Sequence, residues 1–132
     1  MDVADKDSIH TVMVVGSGSM GRGIILSFAM AGFNTIVLTR DPTRLSDLPQ
    51  DVTARQELPE ESPDLIIEAI PEKMELKEAL FERLEQTYGD TPILASNTSS
   101  LPLDKMADGL KNPGRFIGIH YMHPAESLPM VE

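Results

Sequence analysis

The sequence predicts an α/β protein, a doubly wound and mostly parallel sheet in a single domain, and three observations predict it. Short apolar runs with little polar alternation recur along the chain, the pattern of strands covered on both faces. Segments with apolar residues at helical spacing separate these runs, so strands and helices alternate as crossover connections require. The first run also passes directly into a glycine-rich turn that opens the first helix.

The unit from Ile9 to Leu38 carries the prediction. Thr11-Val12-Met13-Val14-Val15 reads as a buried strand and leads into Gly16-Ser17-Gly18-Ser19-Met20-Gly21. Ile24, Ile25, Phe28, Ala29 and Ala31 then give an apolar face at helical spacing, Gly32 supplies a stop, and Thr35-Ile36-Val37-Leu38 is a second strand. In that setting G-x-G-x-x-G has a mechanism. Gly16 permits a tight turn off the strand, Gly18 leaves room for a pyrophosphate against the backbone, and Gly21 lets helix and strand pack closely. The helix N-terminus then offers unbonded N–H groups to the phosphates. The reading is a Rossmann-type dinucleotide site, with Gly16, Gly18, Ser19, Met20 and Gly21 as candidate cofactor contacts.

The 132 residues suffice for one domain with a real core, and the 41% hydrophobic content is that of a globular chain. No apolar run approaches the roughly 18 residues of a membrane span, and residues 1–8 are polar and acidic, unlike a signal or transit peptide. They read as a loose tail before a dinucleotide-binding domain over 9–132. The absence of cysteine removes disulfides and thiol chemistry and fits a reducing, cytoplasmic setting. A net charge of −10 argues against a nucleic-acid surface. No recognised metal-ligand set is present, since His120 and His123 alone do not make one.

The second strand of such a sheet ends beside the adenosine ribose, where an NAD site usually places a carboxylate on the 2′-hydroxyl. Here Thr39-Arg40 takes that place, with Arg44 nearby. A guanidinium pairs with a 2′-phosphate that a carboxylate would repel, which points to NADP(H). NAD(H) is the alternative, because Asp41 stands one residue late.

Beyond the first unit, Pro42 suits the opening of a short helical turn, and Val52-Thr53 is a candidate third strand in an otherwise weakly patterned stretch from 45 to 63. Asp64 to Ile70 reads as a strand, and a helix follows from about Lys73 to Tyr88 with Leu76, Leu80, Phe81 and Leu84 on one face. Pro92 to Ser96 is a strand, Leu103 to Leu110 a short helix, Phe116 to His120 another strand, and Met130 to Glu132 a candidate last one. Ligands bind outside the carboxyl ends of such strands, which hold Glu72, the Asn97–Ser100 cluster and His120. Histidine has the pKa for moving a hydroxyl proton, so His120 is the candidate base, with His10 and His123 as competitors on composition.

Four ordered motifs make the chain similar to a known family: Gly16-Ser-Gly-Ser-Met-Gly-Arg-Gly-Ile24, Asp64-Leu-Ile-Ile-Glu-Ala-Ile-Pro-Glu72, Ser96-Asn-Thr-Ser-Ser-Leu-Pro102 and Gly118-Ile-His-Tyr-Met-His-Pro124. Together they resemble the NAD-binding domain of the 3-hydroxyacyl-CoA dehydrogenases. The resemblance implies that Ser99 holds the substrate oxygen, that His120 is the general acid/base, and that Glu132 pairs with His120. It also implies that Glu72, Lys77 and the glycine turn lie on the cofactor; Asn97, in the polar cluster at a strand end, is a further candidate cofactor contact.

Four departures stand out. The family's aspartate after the second strand falls on Thr39. The long helical hairpin that contacts coenzyme A in the family is replaced by a short stretch, which removes a ground for expecting a CoA thioester. Phe-Asn-Pro reads Met122-His123-Pro124. The sequence ends at Glu132, where the family continues into a helical domain that closes the cleft and makes the dimer. A partner chain is then expected to complete the cleft for turnover, and a homodimer is one way to do so. The expectation is an oxidoreductase domain for a small hydroxy or keto substrate. A non-catalytic dinucleotide sensor and a domain like those of the β-hydroxyacid dehydrogenases are the alternatives.

Overall fold

The computed structural model describes residues 9–45, 48–49, 51–98 and 100–119, the Arg44 side chain excepted. Six strands, β1 (Thr11–Val15), β2 (Asn34–Leu38), β3 (Val52–Arg55), β4 (Leu65–Glu68), β5 (Ile93–Ser96) and β6 (Phe116–Gly118), form one sheet in the order β3-β2-β1-β4-β5-β6. Every adjacent pair is parallel. Three helices connect them: α1 (Ser19–Met30) between β1 and β2, α2 (Met74–Tyr88) between β4 and β5, and α3 (Leu103–Asp108) before β6.

Alternation along the strands divides the core between two faces. Val12 and Val14 of β1, Leu65 and Ile67 of β4 and Ala95 of β5 pack with Ile24 and Ile25 of α1. Met13 and Val15, Ile66 and Leu94 turn to the other face and pack with Phe81, Leu84 and Tyr88 of α2 and Met106 of α3. A strand covered on both sides cannot spend alternate positions on polar residues, which is why β1 reads as a continuous apolar run. The Asp64 side chain closes the amino-terminal edge, accepting from the N–H groups of His10 and Thr11 at 2.9 Å each.

The sequence reading is corrected in several places. Three elements are shorter than expected: β4 ends at Glu68 rather than Ile70, β6 at Gly118 rather than His120, and α3 at Asp108 rather than Leu110. Leu76, expected on the buried face of α2, is 42% exposed; the buried stripe is Lys77, Phe81, Leu84 and Tyr88, with Leu80 partly buried beside it. The weakly patterned stretch holds a 3₁₀ turn over Pro42–Leu45 and then β3. Residues 56–64 return from the sheet edge to its centre without a helix, with Leu58 on the α2 face and the Tyr88 hydroxyl donating to the Pro59 carbonyl. The strand expected over Met130 to Glu132 and the tail over 1–8 lie outside the described residues.

Candidate dinucleotide site

The parallel register puts the strand ends in one row. Arg55, Leu38, Val15, Glu68, Ser96 and Gly118 are successive partners across the sheet. The next residue of each strand therefore lies on a common rim, and this rim collects Thr39, Gly16, Ala69, Asn97 and Ile119. Chain order reverses between β1 and β4, the position at which open α/β sheets form a ligand crevice.

Gly16 sits at that reversal with φ +112°, and a Cβ there would lie 2.5 Å from the Ala69 carbonyl oxygen. A Cβ on Gly21 would lie 2.5 Å from the Gly16 carbonyl oxygen, so α1 approaches the turn as closely as backbone permits. Gly18 is different, because a Cβ there would meet nothing within 4 Å. Its missing side chain leaves space in front of the α1 N-terminus, which has no side-chain cap and no acidic residue in its first turn. Ser19 is exposed, whereas Met20 is half-buried and packs on the α1-side core.

At the end of β2, Thr39 Oγ1 lies 2.9 Å from Ser17 Oγ, which joins the glycine turn to the neighbouring rim residue. Sequence reasoning passed over Ser17. Arg40 is exposed, and its carbonyl accepts from Gln56 Nε2 at 2.7 Å. Asp41, the competing ribose acceptor, uses Oδ1 on Thr43, accepting from its backbone N–H at 3.1 Å and from its hydroxyl. That oxygen therefore caps the 3₁₀ turn.

A buried ionic network occupies the other half of the rim. Lys77 Nζ lies 2.9 Å from Glu68 Oε2 and 2.7 Å from Glu72 Oε1, with the Lys77 and Glu68 side chains essentially excluded from solvent. Glu68 Oε1 accepts from the Ser96 hydroxyl at 2.5 Å and Oε2 from the Ile70 N–H at 2.8 Å. Burial pushes the Glu68 carboxyl above its ordinary range, opposed by the hydrogen bonds from Ser96, Lys77 and Ile70 and by the Lys77 charge. Glu72 accepts from Thr98 Oγ1 at 2.8 Å and Ser100 Oγ at 3.3 Å, so both neighbours of Ser99 are tied to one carboxylate.

Glu68 and Ser96 were the residues missed. The available signal was a charged residue inside the apolar run Leu65 to Ile70, which requires a buried partner. Lys77, assigned to the cofactor by resemblance, is buried among these carboxylates and meets the rim through Glu72 and through the Asn97 carbonyl, to which its Nζ donates at 3.5 Å. Asn97 is half-buried, and its N–H donates to the Glu68 carbonyl at 2.9 Å. Ser99, His120 and Glu132 lie outside the described residues, as does the Arg44 side chain. The residue before His120 is placed: the Ile119 N–H donates to the Ser96 carbonyl at 3.0 Å, at the carboxyl ends of β5 and β6. His10 stands at the opposite, amino-terminal edge of the sheet.

Residues 11–62 and 50–132 match the family model of the 3-hydroxyacyl-CoA dehydrogenase NAD binding domain. The chain belongs to this family of oxidoreductases. It is 33% identical to a probable 3-hydroxybutyryl-CoA dehydrogenase of Deinococcus radiodurans, over 90% of this chain and 52% of that protein. A probable 3-hydroxybutyryl-CoA dehydrogenase of Bacillus subtilis is 34% identical, over 94% of this chain and 52% of that one. The chain thus spans about half the length of these relatives. Its fold is similar to the dehydrogenase part of multifunctional enzyme 1 from C. elegans (TM-score 0.84, 27% identity, 94% of this chain and 34% of that one). It is also similar to 3-hydroxybutyryl-CoA dehydrogenase from Escherichia coli K12 (TM-score 0.83, 26% identity, 94% and 32%).

The two stretches that match the 3-hydroxyacyl-CoA dehydrogenase model overlap over residues 50–62, where β3 returns to β4 without a helix. The two alignments run over 144 and 150 positions for a 132-residue chain, so these relatives carry residues with no counterpart here. Among the described residues no helix is long and apolar enough to cross a membrane.

Proposed function

We propose that this chain is the cofactor-binding half of an oxidoreductase that moves hydride between a nicotinamide dinucleotide, NADP(H) in preference to NAD(H), and a small secondary alcohol or ketone. The observation that carries the reading is the turn at the β1–β4 reversal, where Gly18 leaves open space in front of an uncapped helix N-terminus. A pyrophosphate fits that arrangement, since its charge meets N–H donors and a positive dipole end, which supply local positive potential in an otherwise acidic chain. Support for the 2′-phosphate comes from the ribose end of β2. Two hydroxyls, those of Ser17 and Thr39, stand there in place of a carboxylate, Arg40 is exposed beside them, and Asp41 is engaged with Thr43.

When bound, the nicotinamide supplies the hydride acceptor or donor. The rest falls to the protein. His120 takes the hydroxyl proton of the alcohol as hydride leaves the carbinol carbon, and returns it in the reverse direction. Ser99 holds the substrate oxygen, and Glu132 fixes the imidazole tautomer and stabilises its charged form. These roles come from the family resemblance, supported by the neighbouring residues: Thr98 and Ser100 are held on Glu72, and Ile119 lies on the rim. The relatives' names point to 3-hydroxybutyryl-CoA, whereas the shortened β2–β4 region argues for a substrate other than a CoA thioester. A second chain or domain completes the cleft, since the relatives are about twice as long.

The test is His120→Ala, assayed with the chain joined to the helical half of one of the relatives above. Turnover of 3-oxo compounds, read by loss of NADPH absorbance, is expected to fall about 10²- to 10⁴-fold while NADPH affinity stays within about twofold. Unchanged turnover would contradict the role of His120, and none in the unsubstituted protein with every 3-oxo compound tried would instead favour a sensor that binds dinucleotide without chemistry.

A further inference from the structure

We propose that Glu68 is a positioning residue for the nicotinamide half of the cleft: through Lys77 it fixes the Glu72 carboxylate and, with it, the hydroxyl-bearing residues on both sides of Ser99. The inference rests on the dinucleotide reading above and adds a residue that never touches the ligand.

The geometry is a relay from the core to the rim. Glu68 and Ser96 are register partners on the α2 face of adjacent strands, and both are fully buried. Lys77 enters from α2 between Glu68 at 2.9 Å and Glu72 at 2.7 Å. A buried ammonium between two carboxylates is held in one place, because any displacement leaves a charge unpaired away from water. Glu72 is only partly covered, so its orientation is set mainly by what grips it. The grip is Lys77 from below and Thr98 and Ser100 from the sides. Thr98 Oγ1 in turn accepts from the Leu101 N–H at 3.1 Å, which locks the loop leading into α3.

An ion pair with no role at the site would be an expensive way to join a strand to a helix, since apolar residues of similar volume are commonly as stable or more so. Its position under the carboxylate that brackets Ser99 gives it a use. Partners of this kind, one layer removed from a ligand, commonly change affinity 10- to 100-fold at metal sites, where they have been measured.

The experiment is Glu68→Gln, read by binding of NADH and of ADP, which fills only the adenosine side. Binding of NADH is expected to weaken about tenfold with ADP affinity within about twofold. Glu68→Gln combined with Glu72→Gln is expected to bind NADH no more weakly than Glu72→Gln alone, because Glu68 acts through that carboxylate. Equal loss for NADH and ADP, loss for neither, or additive losses in the double variant would overturn the proposal. Amide exchange gives a readout without cofactor. Exchange at Leu101 is expected to quicken about tenfold in Glu68→Gln while Gly16, whose N–H is bonded to the Leu38 carbonyl, stays unchanged. An unchanged Leu101 overturns positioning even if the chain binds no dinucleotide, an outcome that would sink only the dinucleotide reading. Glu72→Gln, near the surface, gives the same exchange readout if Glu68→Gln does not fold.

Discussion

Gly16→Ala is expected to destabilise the fold by about 3 kcal/mol, while Gly18→Ala leaves stability nearly unchanged and removes cofactor binding. At Gly16 two costs combine. A φ of +112° is a conformation that L side chains rarely adopt, worth about 1–3 kcal/mol. The added methyl would also lie 2.5 Å from the Ala69 carbonyl oxygen, an overpacking of about 1–3 kcal/mol. Neither cost applies at Gly18, where a methyl group meets nothing. Its space is useful only to a ligand, so the loss falls on affinity. Urea unfolding and NADPH titration of the two variants separate the effects. Equal destabilisation by both would contradict the division, as would unchanged NADPH binding by Gly18→Ala.

Lys77→Met is expected to cost about 3–5 kcal/mol at neutral pH, because it leaves the Glu68 carboxylate buried without its cation. The deficit has a pH dependence of definite sign. Burial already raises the Glu68 pKa, so the folded state holds this proton more tightly than the unfolded chain does. Between the ordinary carboxylate value and the raised one, stability from this group falls as pH rises. Removing Lys77 raises that pKa further. The stability lost by the variant should therefore shrink as pH is lowered from neutral toward the ordinary carboxylate range, because Glu68 then takes a proton. Paired urea titrations across that interval measure it. A deficit that is constant or grows on acidification would show that packing of the lysine stem, not its charge, holds this part of the fold.

Much of this was legible in the sequence where local chemistry and fold agree. The β1 run, the three glycines and α1 each have one low-energy arrangement, and the structure has it. Gly16 carries the positive φ, and Gly21 carries the close approach. Strand ends were less legible, because an apolar run marks burial and not pairing. Ala69 and Ile119 are outside the strands although their N–H groups still bond to Val15 and Ser96. The α2 face was misread at Leu76 because hydrophobicity alone was counted. Lys77 is apolar by neither composition nor rule, and only Glu68 and Ser96, brought together by the β4–β5 register, explain why an ammonium belongs there. The Ser17–Thr39 contact likewise depends on the parallel alignment of β1 and β2, which no local pattern encodes.

Parallel fluorescence titrations with NADPH and NADH, following nicotinamide emission in a chain that has no tryptophan, test the dinucleotide site and its 2′-phosphate preference together. Both should bind, NADPH by about tenfold more tightly, the scale of one well-made charge-assisted contact. Arg40→Ala should erase the difference, and Thr39→Asp should reverse it by restoring the carboxylate that accepts from a ribose hydroxyl. Equal or tighter binding of NADH by the unsubstituted chain would contradict the 2′-phosphate reading, and binding of neither would contradict the dinucleotide site itself.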